Sequence, residues 1–182
     1  MRYHWFRTCL AVGVLFLVIV SVSVSHAQVC RNNLPPSNPD SVYVDHGDGT
    51  VSDVRTGLMW QRCPEGLSGA GCALGSAQTF SWVAALGRAE SSTFAGYTDW
   101  RLPNIKELSS LVEECRLQPA INDSVFPNTH YSLSSYYWSS SPSANSADIL
   151  GDYAWRVHFD DGTISQFLRR NTYRIRLVRG GK

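Results

Sequence analysis

The rhythm of hydrophobic and polar positions changes several times along this 182-residue chain. From Ser41 to Cys63, "SVYVDHGDGTVSDVRTGLMWQRC", apolar and polar residues alternate with the period of two expected of half-buried strands. Asp48-Gly49 and Thr56-Gly57 interrupt that alternation with residues that favour tight turns, so short strands are expected at Thr50 to Asp53 and Leu58 to Gln61. From Ser81 the period lengthens. Trp82, Val83, Ala85, Leu86 and Ala89 fall at helical spacing, which predicts a helix over about 80–91, capped by Ser81 or Thr79. A second helix is predicted over about 104–115, where Ile105, Leu108, Leu111, Val112 and Cys115 share one face. Asn104 stands at the cap and Glu107 three residues on, the spacing of a capping box with Asn in place of Ser or Thr. Pro103 needs no backbone donor there and holds Leu102 extended. "YTDWRLPNIKELSSLV" thus reads as a packing corner, with Trp100 and Leu102 anchoring the incoming chain.

Between 116 and 152 no period is visible. Phe126, Tyr136, Tyr137 and Trp138 sit among Ser, Pro and Asn, and the whole stretch reads as one long irregular loop. Loops of that length are uncommon in small domains and are often functional. Strand character returns in "YAWRVHF" and "TISQFL", which flank the hairpin signal Asp160-Asp161-Gly162. "TYRIRLVRG" then predicts a half-buried final strand, with Tyr173, Ile175 and Leu177 inward and Arg174 and Arg176 on a polar, basic outer face. No solenoid-type repeat is present.

The N-terminus follows different rules. Arg2 and Arg7 precede an apolar run from Leu10 through Val20, and Ser25-His26-Ala27 ends it with small residues. That order reads as a secretory signal peptide over 1–27, a retained membrane anchor being the alternative. Residues 28–40, rich in Asn, Pro and Ser, read as an extended arm, and 41–182 as one domain. Removing Arg2 and Arg7 leaves 14 of the 16 basic side chains against 15 acidic ones. The mature chain is near neutral, which excludes a general nucleic-acid binder. It keeps Cys30, Cys63, Cys72 and Cys115, an even set suited to an oxidising compartment. Four cysteines allow three pairings. Cys63–Cys72 is favoured because "CPEGLSGAGC" is a short Gly-rich loop that closes on itself, leaving Cys30–Cys115. The alternative, a four-cysteine zinc site, needs close cysteine pairs that these spacings do not supply.

Taken together, "DGTVSDVRTGLMWQRC", "TFSWVAAL", "FAGYTDWRLPNIKELSSLVE", "PAINDSVFP", "YYWSSSP", "AWRVHFDDGTIS" and "YRIRLVRGG" resemble the C-terminal domain family of the Legionella collagen-like adhesin, the Lcl C-terminal domain, over about residues 42–181. The family is similar to the C-type-lectin-like superfold. The resemblance implies an α+β domain with β-hairpins, two helices, a long loop region and a closing antiparallel sheet. It also implies a role in adhesion and in binding sulfated polysaccharides, although this chain carries no collagen-like region. The sulfatase-modifying enzymes of that superfold depend on late cysteines, and none follows Cys115 here.

A catalytic constellation is not visible. His46, His130 and His158 are scattered, no phosphate-binding loop follows a strand, and no cofactor is expected. Asp160-Asp161 is a carboxylate pair that a hairpin turn explains. Binding chemistry has better candidates. Tyr136, Tyr137 and Trp138 offer aromatic faces for a sugar ring and Ser139 a polar neighbour, against the reading that Trp138 is a core anchor. Arg169 and Arg170, with Arg174, Arg176 and Arg179, offer planar forks for sulfate, against a solvated strand face. Asn145, Asp148 and Asp152 carry oxygen ligands suited to calcium, without EF-hand spacing. The expectation is an exported, non-catalytic module of the periplasm, cell surface or medium, binding a glycan or sulfated polysaccharide. The alternatives are a protein-interaction or structural module contacting an envelope protein, and an enzyme whose site is assembled in the loop. No nucleic-acid partner is expected, and no membrane contact beyond the export signal.

Overall fold

A computed structural model describes residues 30–31, 33–129, 135–143 and 152–180. The first strands break where the turn residues predict. β1 (Tyr43–Asp45), β2 (Thr50–Asp53) and β3 (Leu58–Gln61) form an antiparallel meander. Asp48 Oδ1 accepts the Thr50 amide and hydroxyl at the first turn, and Asp53 O accepts the Gly57 amide at the second. The ribbon β4 (Leu67–Ser68) and β5 (Leu74–Gly75) follows, then α1 (Trp82–Glu90) and α2 (Ile105–Ser109). A second sheet is built from β6 (Tyr136–Pro142), β7 (Tyr153–His158) and β8 (Ile164–Leu168), and the last strand, β9 (Val178–Gly180), returns to pair with β3. Every pairing between these strands is antiparallel among the described residues, and an isolated parallel bridge joins Tyr137 to Arg174. The domain is therefore α+β, as expected.

Strand alternation divides the interior in two. Trp60 and Tyr137 face one core with Val51, Leu108, Leu111, Ile121, Phe126, Val157 and Phe159. Their chain neighbours Met59 and Trp138 face the other, with Ala85, Ala89, Trp100, Leu102, Ile175 and Leu177. The first core is roofed by α2 and the second by α1. Trp60 and Trp138 are fully buried, and each contributes roughly 4–6 kcal/mol of gross apolar burial. Trp138 Nε1 donates to Phe80 O at 3.0 Å, so its one polar atom is satisfied.

Both expected disulfides form, Cys63–Cys72 and Cys30–Cys115, which excludes the zinc alternative. The second fastens the arm, and Glu113 completes the attachment. Its Oε1 accepts the Ser37 amide and hydroxyl, each at 2.8 Å, and its Oε2 accepts the Asn38 amide at 2.8 Å. Residues 1–27 lie outside the described residues, and no helix among the described residues is long and apolar enough to cross a membrane.

Five sequence expectations need correction, the first being the final strand expected over "TYRIRLVRG", which is confined to Val178–Gly180, with only isolated bridges at Tyr173 and Arg174 before it. The second helix ends at Ser109 rather than near 115. The Ser109 and Ser110 hydroxyls donate back to Lys106 O and Glu107 O, and the chain then turns so that Val112 bridges to Ile121. The capping box itself is complete, with both reciprocal bonds between Asn104 and Glu107. Ser81 occupies the N-cap of α1 without a side-chain bond, and the Trp82 amide is satisfied by Arg169 O instead. Tyr136 to Pro142 is a strand, not part of a loop. Its serines disguise it: the Ser139 hydroxyl donates to Trp155 O and the Ser141 hydroxyl accepts the Ile105 amide. Finally, Arg176 is not on a solvated face. It is 0% exposed, donates to Gln61 O and Thr129 Oγ1, and its guanidinium lies 4.9 Å from the Phe126 ring centre. Burial pushes its pKa down to about 10.

Candidate functional site

A cleft of about 770 Å³ opens between the β1–β2 turn, the Cys63–Cys72 loop and the C-terminal end of α1. That volume is typical of pockets that enclose small ligands (about 300–1,000 Å³). Three local devices shape it. Gly49 takes φ +90°, a left-handed conformation, and a Cβ there would stand 2.8 Å from Phe94 Cζ, so glycine lets the Phe94 ring close over the turn. Phe94 is held from behind by Trp100, whose Nε1 donates to Phe94 O at 2.9 Å. Gly66, at φ +90°, lets the neck of the disulfide loop pass Ser76 O, where a Cβ would come within 2.4 Å. Cys63–Cys72 closes that neck covalently.

The lining mixes apolar surface with charged side chains that are already ion-paired. Arg62 Nη1 meets Asp45 Oδ2 at 2.9 Å. Arg88 grips Glu65 with Nε at 2.9 Å and Nη2 at 2.5 Å, both on Oε1. Asp48 is held below the usual carboxylate range, chiefly by the Thr50 hydroxyl. Three carboxylates (Asp45, Asp48, Glu65) thus face two guanidiniums (Arg62, Arg88), leaving the cleft with one excess negative charge. Ser68, Ser91, Ser92 and Thr93 add hydroxyls, and Phe94, 36% exposed, adds an aromatic surface.

The residues singled out from sequence lie elsewhere. Tyr137, Trp138 and Ser139 are fully buried within β6. Trp138 is a core anchor and offers no face to a ligand. Tyr136 is half-buried and stacks on His158 at 4.3 Å. It also covers Arg156, whose guanidinium lies 3.5 Å from the Tyr136 ring centre and within 4.5 Å of the Phe167 and Tyr173 centres. Arg169 lies over Trp82 and donates to Tyr153 O, while Arg170 is exposed on the turn after β8. These residues do not converge on one cavity with the aromatic set. Asp161 serves the β7–β8 turn by accepting the Thr163 amide, which holds its carboxyl below the usual range. Of the calcium candidates, Asn145 and Asp148 lie outside the described residues, and Asp152 is exposed with its carbonyl accepting the Arg169 amide. The one cluster with metal-ligand chemistry among the described residues is Cys30, Glu113 and Cys115, and both sulfurs are committed to a disulfide.

The cleft residues Gln61, Glu65, Arg88 and Phe94 were not foreseen as a site. The single sequence signal was the proline- and glycine-framed carboxylate of "CPEGLSGAGC", read there only as a covalent clip. No curated protein matches the chain. A family model does: the Lcl C-terminal domain matches residues 49–179, a span that runs from the glycine beneath Phe94 to the arginine of β9 and includes the whole cleft apart from Asp45, Gly47 and Asp48. The chain belongs to the Lcl C-terminal domain family.

Proposed function

We propose that this chain is an exported binding module that seats a glycan in the cleft between the first hairpin turn, the disulfide loop and the end of α1. One observation carries the reading: a cavity of about 770 Å³ is walled by a covalently closed loop and bordered by two ion pairs, so its shape exists before a ligand arrives. A binding role rather than a catalytic one is supported by the family, which takes its name from an adhesin. The cleft lining also holds no nucleophile paired with a histidine base among the described residues. Two disulfides suit an oxidising compartment outside the cytoplasm.

The test is a glycan-array screen of the oxidised protein beside a Ser68→Trp variant. Ser68 is exposed in the lining, so the indole fills the cavity without disturbing either core. Array signal in the parent and its loss in the variant is the expected result. Signal that survives in Ser68→Trp removes the cleft from consideration. No glycan signal, with an envelope protein co-purifying instead, replaces the glycan with a protein partner.

A further inference from the structure

We infer that the cleft takes a neutral or amine-bearing saccharide rather than a sulfated one, received by the side chains of Gln61 and Glu65, an inference that rests on the binding reading above. Both side chains are more than nine-tenths buried, at 4% and 8% exposure, and both line the cleft. Each commits one terminal atom to the protein. Gln61 Oε1 accepts the Leu177 amide at 3.4 Å, which fixes the amide orientation and turns Nε2 away from that contact. Glu65 Oε1 accepts both bonds from Arg88. The remaining atoms, Gln61 Nε2 and Glu65 Oε2, have no hydrogen-bond partner among the described residues; neither is sealed from solvent, and both belong to residues that line the cleft. Buried side chains are rarely left with idle donors and acceptors, and a ligand or water that completes them is favoured.

The pair is chemically specific. One idle donor and one idle acceptor match hydroxyl groups, which donate and accept at once. A sulfate ester offers acceptors alone, so it finds no use for Glu65 Oε2. It also meets an excess of one carboxylate, because both guanidiniums of the lining are engaged by Asp45 and Glu65. An amine suits the same carboxylate. Phe94 supplies an apolar surface for the C–H face of a pyranose.

The experiment titrates the oxidised full chain with cellohexaose, a chitosan hexamer and heparin, at low and high salt, and repeats each titration with Glu65→Gln. That substitution keeps the size of the side chain and replaces an acceptor by a donor. The expected result is binding of cellohexaose or the chitosan hexamer, weakened about tenfold or more in Glu65→Gln, with cellohexaose binding indifferent to salt. Should Glu65→Gln fail to melt cooperatively, Gln61→Glu, which replaces the donor by an acceptor, reads the same contact from the other side. Heparin binding that falls steeply with salt, and that Arg169→Ala/Arg170→Ala weakens while Glu65→Gln does not, overturns the inference and leaves the binding role standing. Failure of all three saccharides, with capture from a peptide library, overturns the inference together with the glycan reading beneath it.

Discussion

Glu113→Gln is the sharpest test of how the arm is held. The carboxylate is fully buried and receives four donors. The Ser37 amide, the Ser37 hydroxyl and, at 3.3 Å, the Cys115 amide reach Oε1, and the Asn38 amide reaches Oε2. Burial works to raise the carboxyl pKa, but these hydrogen bonds together outweigh it and leave Glu113 below the usual carboxylate range. Glutamine keeps the shape and loses half the function. With its oxygen placed on the three-donor side, its NH₂ faces the Asn38 amide, and a buried donor left unmatched costs about 1–3 kcal/mol. The three remaining bonds lose their charge assistance as well, so a total loss of about 2–4 kcal/mol is expected. For a domain of this size that lowers Tm by roughly 5–15 °C. Urea unfolding of the oxidised protein followed by circular dichroism measures it. The sign of the pH effect follows from the depressed pKa. Stability from Glu113 is fully present above the ordinary glutamate pKa and is lost as pH falls through the lower folded-state value. Glu113→Gln should therefore flatten the acid limb of the stability profile. A variant within about 0.5 kcal/mol of the parent at neutral pH, or one that keeps the full acid limb, refutes the clamp.

Two further outcomes concern the cleft walls. Gly49→Ala should lose about 1–3 kcal/mol from left-handed strain and displacement of the Phe94 ring. Because Trp100 holds Phe94, its emission should shift in the folded variant, and a thermal melt read by tryptophan fluorescence checks both. Cys63→Ser/Cys72→Ser opens a loop of sequence separation 9 and should lower stability by about 2–3 kcal/mol. Near-UV circular dichroism of both cores should remain while saccharide affinity falls, and unchanged affinity would show that the loop need not be closed to form the wall.

Periodicity made the fold largely legible and the site largely not. The strands at Thr50–Asp53 and Leu58–Gln61 and the turns between them were readable because turn chemistry is local: Gly49 and Gly57 both take positive φ. The capping box at Asn104 and Glu107 was readable for the same reason. Tyr136 to Pro142 was misread because three serines follow the aromatics, and serine is a loop former until a tertiary partner appears. Here the partners are Trp155 O and the Ile105 amide, both far away in sequence. Arg176 alternated as an outer-face residue should, but its far side meets Phe126 and Thr129 instead of water. The cleft joins Asp45, Glu65, Arg88 and Phe94, which belong to four separate segments, so no local pattern in the sequence could assemble it.

The disposition of arginines bears on how any ligand is captured. Arg55, Arg62, Arg88, Arg101, Arg116 and Arg179 each face a carboxylate. Arg156 is buried among three aromatic rings and Arg176 among backbone carbonyls. Arg169 lies on Trp82, and Arg174 donates to Ser135. A near-neutral chain has thus spent most of its cations internally, and the exposed bases without such a partner among the described residues are Arg31, Lys106 and Arg170, on the arm, on α2 and beyond β8. These three cations lie on separate elements and form no contiguous basic run in the sequence. Under the proposed saccharide reading, recognition therefore rests on contacts at hydrogen-bond range rather than on long-range attraction.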